Sequence, residues 1–506
     1  MRRLFLAPSA DRYLSDLKNT NPPRPRRLRR QAQLLVLAAV IAVAGLPGSA
    51  SAGPKTMLTG ISGLYNFGPE AMTQAHSAGA QFLRIVIPWR AVAPRNKPDN
   101  WNPSDPGDPA YEWRETDERL SKAVAAGFIP FGLVTESPSW AERCNREAAS
   151  STCNPNPDAF ADFAHAAAVR YSGNFNNLPR IQYWQPINEP NLSLFFTPQY
   201  GENGKPLSPD LYRVLLNRFS AAVKGVDPSN LVVGGGLGPI AVRPYTIGPM
   251  QFTRQLLCME GTKKPKKTKG SCEGGVHFDI FDIHPYTTGG PNHKGRGNDV
   301  QMGDLGKLQT LLKAASRGGR IVTSSRSVPL WITEFSWDTK PPDPGGLAMK
   351  IASRWAVEAM FRAWQAGVSA FFWYSLYDDP PQPSYKGSIQ SGLYLTGATV
   401  AENTPKEILF AYRFPFVAYA EKKGLSYWGR TFNGLPGTVR IQTFDKGKWH
   451  KIASAQASAG GIFKGLVRGN AYGADKKGAV RAVFVGEPSL PFKMRPVKEF
   501  IQPPFG

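Results

Sequence analysis

The sequence predicts an α/β protein: a (β/α)₈ TIM barrel followed by a small all-β C-terminal region. Three observations predict it. Short, nearly continuous apolar runs alternate with amphipathic stretches from residue 56 to residue 416, and the runs number eight. Strands buried on both faces of a parallel sheet read as continuous apolar runs, and eight strand-then-helix units in one domain close into a barrel. After residue 416 the helical spacing stops, and short runs bounded by glycine take over.

The strand candidates, in order, are residues 56–65, 82–88, 129–135, 180–187, 231–236, 278–284, 329–335 and 370–376. Between them, residues 115–126, 157–171, 209–226, 305–316 and 348–366 place apolar side chains at helical spacing. Residues 405–412 read as the last helix of the barrel. The C-terminal runs 424–434, 438–444, 449–455, 461–467 and 479–485 suggest a small sandwich-like domain. Trp428 and Trp449 within it are candidate platforms for a carbohydrate.

The chain begins with a targeting pattern. Arg24, Arg26, Arg27, Arg29 and Arg30 precede an apolar run over residues 34–46, which ends at Gly48-Ser49-Ala50-Ser51-Ala52. Basic region, apolar core and small residues in this order read as a secretory signal, with the mature chain starting near Gly53. The same run retained as an uncleaved anchor is the alternative, although it is short for a membrane span. The expected divisions are therefore residues 1–52 (signal), 53–416 (barrel) and 417–506 (β domain). Export accounts for the cysteines. Cys144 and Cys153 are close in sequence, as are Cys258 and Cys272, so two local disulfides are the simplest of three pairings. The rival reading, a metal site, lacks a C-x-x-C spacing or a histidine cluster.

The formal charge is +23. This sign attracts anionic partners, but no nucleic-acid-binding motif accompanies it. Residues 263–269, KKPKKTK, read as a solvated basic insertion.

In a barrel the C-terminal ends of the strands converge on one face, and chemistry occurs there. Strand two brings Arg84. Strand four ends in Asn188-Glu189, strand six in His284-Pro285-Tyr286, strand seven in Glu334, and strand eight carries Trp373. Two glutamates thus end strands four and seven, across the mouth. Cleavage of a sugar acetal needs this pair: a protonated carboxyl for the leaving oxygen and an ionised carboxylate for the anomeric carbon. Their affinities for a proton must differ. Arg84 is the candidate to hold Glu334 in its charged form, and Tyr286 to hydrogen-bond the same carboxylate. Asn188 is placed to bind a sugar hydroxyl. His284 suits either a sugar contact or the positioning of a carboxylate. Trp373 is the candidate floor for a sugar ring. Trp89, Trp140, Phe195, Phe196 and Trp337 are further candidates to line a groove.

Asn188-Glu189-Pro190, His284-x-Tyr286, Glu334 and Trp373, in this order of strand ends, resemble the clan of retaining (β/α)₈ glycoside hydrolases that includes the cellulase-type enzymes. Pro88-Trp89-Arg90-Ala91-Val92-Ala93-Pro94, then Tyr111-Glu112-Trp113 and Asp117, are similar to glycoside hydrolase family 39. So is Phe372-Trp373-Tyr374-Ser375-Leu376-Tyr377-Asp378-Asp379. The resemblance implies Glu189 as acid/base and Glu334 as nucleophile. It also implies a carbohydrate substrate, which the basic charge turns towards an acidic polysaccharide; the signal pattern points to a secreted or envelope location. This chemistry requires no metal or organic cofactor. A non-catalytic wall-polysaccharide binder and a transglycosylase stay open as alternatives.

Overall fold

The computed structural model describes residues 53–505, apart from 147–150, 269–271, 273, 326, 382–383, 386–387, 423 and 470–477. The expected signal, residues 1–52, lies outside the described residues. Among the described residues no helix is long and apolar enough to cross a membrane.

Eight parallel strands close into a barrel in chain order. They are β1 (Leu58–Ser62), β2 (Phe82–Pro88), β3 (Ile129–Thr135), β4 (Tyr183–Pro186), β5 (Leu231–Leu237), β6 (Ile280–Ile283), β7 (Leu330–Ile332) and β8 (Val368–Tyr374). Pairing of β8 with β1 completes the ring, from Leu58 opposite Ala370 to Ser62 opposite Tyr374. A helix follows each strand: α1 (Pro69–Ser77), α2 (Arg114–Ala125), α3 (Pro157–Arg170), α4 (Ser208–Val226), α5 (Pro249–Leu256), α6 (Leu305–Arg317), α7 (Met349–Gln365) and α8 (Glu407–Arg413). Proline at the first turn of α1, α3, α4 and α5 loses no helix bond, because those N–H groups have no partner within the helix. Asn156 caps α3, its Oδ1 accepting from Asp158 N and Ala159 N.

The barrel interior is packed by Phe82, Phe131, Tyr183, Val233, Ile280, Trp331, Ala370 and Phe372. Side chains alternate along a strand, so the next inward positions are two residues on. These are Arg84, Gln185, Asp282 and Tyr374, and they carry polar groups. An apolar plug under a polar floor is thus written into the parity of the strands. Gly60 of β1 faces the Phe372 ring so closely that a Cβ would lie 2.7 Å from it. Tyr412 of α8 locks the closing pair from outside: its hydroxyl accepts from Gly60 N at 3.0 Å and donates to Gly60 O at 2.7 Å.

Beyond α8 the chain forms two antiparallel sheets. One holds β9 (Phe416–Glu421), β10 (Gly424–Arg430) and β13 (Ile462–Arg468). The other is built on β11 (Gly437–Asp445), β12 (Lys448–Ala457) and β14 (Ala479–Phe484). This region packs directly on the barrel. Trp428 of β10 meets Trp364 and Phe361 of α7 at ring separations of 5.6 and 5.5 Å. The fully buried Arg430 donates to Met57 O at 2.6 Å and Gln81 Oε1 at 2.7 Å. Trp428 is therefore interface and not a carbohydrate platform. Trp449 is half-buried, with the Arg481 guanidinium 4.1 Å from its ring centre. Cys144–Cys153 and Cys258–Cys272 are both bonded, with Cα separations of 5.4 and 6.1 Å.

Candidate active site

Glu189 follows β4 in a tight turn. Ile187 and Glu189 both adopt positive φ, 59° and 39°. A β-branched residue in that region is strained, and such strain clusters at functional sites. The turn is held by Ile187 N donating to Val134 O and Glu189 N to Gly236 O. Asn191 ties it to the loop after β5, its side chain bonding Gly238 N, Gly238 O and Ile247 O. Glu189 thereby turns inward over the barrel and is buried.

Glu334 follows β7 on the other side of the mouth. The Arg84 guanidinium, on β2, donates to Glu334 Oε1. Its second arm donates to Gln185 Oε1 at 2.7 Å and Asn188 Oδ1 at 2.9 Å. Tyr286 donates its hydroxyl to Glu334 Oε2 at 3.3 Å. His284 stands between the two acids. Its Nδ1 is 2.9 Å from Glu189 Oε1 and 3.7 Å from Glu334 Oε2. Its Nε2 is 3.0 Å from Thr333 Oγ1 and 3.4 Å from Asp282 Oδ2. Glu189, His284 and Glu334 offer one atom each, all within 4.8 Å of one another.

The electrostatics follow from burial. Burial pushes the Glu189 carboxyl above its ordinary range, and the neighbouring Glu334 charge adds to this against the pull of His284 and Arg84. Burial also works against a charged His284, but Glu334, Asp282 and the bonds to Asp282 and Glu189 outweigh it, raising the imidazole to about 10. Asp282 is lowered: burial opposes its charge, and His284, Arg84 and Thr333 overcome that. Two cations, Arg84 and His284, face two anions, Asp282 and Glu334. A protonated Glu189 leaves the cluster neutral, which is the arrangement a buried site favours.

This charge pattern carries a stability prediction. A histidine held up at about 10 from 6.5 contributes stability fully present below about pH 6.5, lost as pH rises through about 10. The raised Glu189 changes stability in the same direction. Urea unfolding from about pH 6 to about 11 should show falling stability on the alkaline side, with a shallower fall in His284→Gln.

The structure brings together Arg84, Asn188, Glu189, His284, Tyr286 and Glu334, but not Trp373. Trp373 is fully buried outside the barrel wall, packed on Tyr412 at 5.8 Å, and its indole donates to Ser391 O at 2.7 Å. A residue with no exposed surface cannot floor a sugar site. The reason is parity: Phe372 points inward, so Trp373 points outward and Tyr374 inward. Tyr374 is half-buried; burial raises its hydroxyl well above the ordinary value, with Glu334 and the hydrogen-bonded Tyr65 adding to this. Trp373→Ala should lower unfolding free energy by about 3–5 kcal/mol; denaturant titration checks this. Trp89, Phe196 and Trp337 are likewise fully buried. Trp140 and Phe195 are partly exposed. Gln185, Asp282 and Thr333 escaped the sequence reading, although counting by twos from Tyr183, Ile280 and Trp331 reaches each of them; Tyr374 stands in the strand-eight run but was given no role.

The spacing of Glu189, His284 and Glu334 would admit a metal ion. The donor set argues against one: the Arg84 guanidinium already occupies Glu334, and both ring nitrogens of His284 are engaged by protein oxygens.

Neither a protein-family model nor a curated protein matches the sequence. Solved structures do. A family 39 glycoside hydrolase from the gut symbiont Bacteroides cellulosilyticus WH2 superposes with a TM-score of 0.51 at 15% identity, over 82% of this chain and 81% of that one. A monomeric beta-xylosidase from Caulobacter crescentus CB15 gives 0.48 at 14% identity, over 83% and 96%. A GH39 enzyme from Xanthomonas axonopodis pv. citri gives 0.47 at 15%, over 85% and 94%. The chain is thus similar in fold to a family 39 glycoside hydrolase.

Proposed function

We propose that this chain is a secreted, retaining O-glycosidase. The observation that carries the reading is the buried pair of acids, Glu189 and Glu334, with oxygens within 4.8 Å of each other across the barrel mouth. That separation suits double displacement, because it leaves no room for a water between Glu334 and the sugar, so the carboxylate itself attacks. Glu334 attacks the anomeric carbon and forms an ester with it. The bond to the leaving oxygen breaks, and that oxygen takes the proton of Glu189. Glu189, now a base, removes a proton from water. The resulting hydroxide attacks the anomeric carbon, and Glu334 leaves as carboxylate. Arg84 holds Glu334 in place throughout, and Tyr286 steadies its second oxygen. The Asn188 carbonyl is taken by Arg84, so its NH₂ is the part left for a sugar hydroxyl.

The arginine-led apolar segment and the two disulfides support export. Residues 53–506 carry +16 of the +23, which supports an acidic glycan as substrate. The test is sugar release by the chain starting at Gly53 from β-linked neutral and acidic glycans, with the anomer formed first followed by NMR. We expect release with the substrate's own anomeric configuration. An inverted product would overturn the mechanism, and binding without release would favour a non-catalytic role.

A further inference from the structure

The last residues of the described chain return to the mouth of the barrel. The last strand ends at Lys493, and residues 495–505 then run without regular secondary structure across the loops that follow β6 and β7. The docking is specific. Glu499 accepts from Asn292 N at 3.0 Å and Asn292 Nδ2 at 2.6 Å. Gln502 N donates to Thr288 O at 3.1 Å, and its side chain donates to Gly345 O at 3.1 Å. Asp338 N donates to Pro504 O at 2.7 Å. The Phe505 ring then meets the Tyr286 ring edge-on, at a centroid distance of 4.9 Å. Gly290 permits the approach, since a Cβ there would lie 2.5 Å from the Glu499 carboxyl carbon.

Tyr286 is the residue whose hydroxyl reaches Glu334. One side of its ring rests on Phe335, at 6.1 Å, and Phe505 supplies another support. With the tail docked, Tyr286 is only 8% exposed. We propose that segment 499–505 is a wall of the catalytic site, with Phe505 a positioning residue that holds the Tyr286 phenol against Glu334. A ring clamped on two sides loses little entropy when it hydrogen-bonds, so the geometry for attack is set before substrate arrives. The kinetic part of this inference rests on the glycosidase reading; the contact itself does not.

The test therefore uses two readouts on the full chain. Hydroxyl-radical footprinting of Tyr286, read by mass spectrometry, needs no activity. We expect protection in the wild type, strong labelling in Phe505→Ala and restored protection in Phe505→Leu. Equal labelling of Tyr286 in wild type and Phe505→Ala overturns the proposal. The kinetic readout is a double-mutant cycle with Tyr286→Phe on an aryl β-glycoside that the wild type cleaves. We expect Phe505→Ala to lower kcat about tenfold with KM within about twofold, and to have no further effect once Tyr286 is Phe. Effects of the two changes that multiply, or an unchanged kcat in Phe505→Ala, overturn the positioning role. If the wild type cleaves no glycoside, the glycosidase reading fails, and the footprint alone decides whether the tail covers Tyr286. Gly290→Ala serves as a second variant that undocks the tail without touching an aromatic ring.

Discussion

Glu334→Gln should lower kcat/KM by on the order of 10⁵ while the protein stays folded. The substitution keeps the shape of the side chain and removes its charge and nucleophilicity. Arg84 retains Gln185 and Asn188 as acceptors, so the guanidinium is not stranded. Loss of an anion beside His284 also removes one of the groups that hold the imidazole up, and the variant's His284 should titrate lower. Steady-state kinetics and imidazole NMR shifts read the two effects separately. Activity near the wild-type level in this variant would sink the nucleophile assignment outright.

Glu189→Ala should behave differently, and the difference identifies the acid. Proton donation matters in proportion to the basicity of the leaving oxygen. Release of a sugar or an alkyl alcohol should fall about 10³- to 10⁴-fold, whereas release of dinitrophenolate, which needs no proton, should fall far less. Added azide should restore turnover by taking the place of the activated water, yielding a glycosyl azide of retained configuration. The pH profile gives an independent sign. Burial, with the Glu334 charge, keeps Glu189 protonated above the ordinary carboxylate range, so the wild type's falling limb should lie above that range. A basic limb unmoved in Glu189→Ala would assign that limb to another group.

The sequence by itself determined the eight-strand plan, because apolar runs of strand length separated by amphipathic stretches leave few other arrangements for a chain of this size. It also determined the two acids and their partners. Asn188, His284 and Tyr286 each sit just past the end of a strand, and closure of the barrel carries all strand ends to one rim, beneath which Arg84 reaches up from within β2. It placed the two disulfides, since cysteines 9 and 14 residues apart have short loops to close.

What it did not determine was which way a side chain points. Trp373 and Tyr374 are neighbours in an aromatic run, and only the inward position of Phe372 puts Tyr374 at the mouth and Trp373 in the outer core. Gln185 and Asp282 look unremarkable until the barrel closes and brings them beneath Arg84 and His284. Trp428 became an interface residue because α7 presents Trp364 and Phe361 to it. The return of residues 499–505 to Tyr286 was decided by the tertiary structure alone. It depends on contacts between segments some two hundred residues apart, Asn292 with Glu499 above all, and no local pattern in the chain encodes such a meeting.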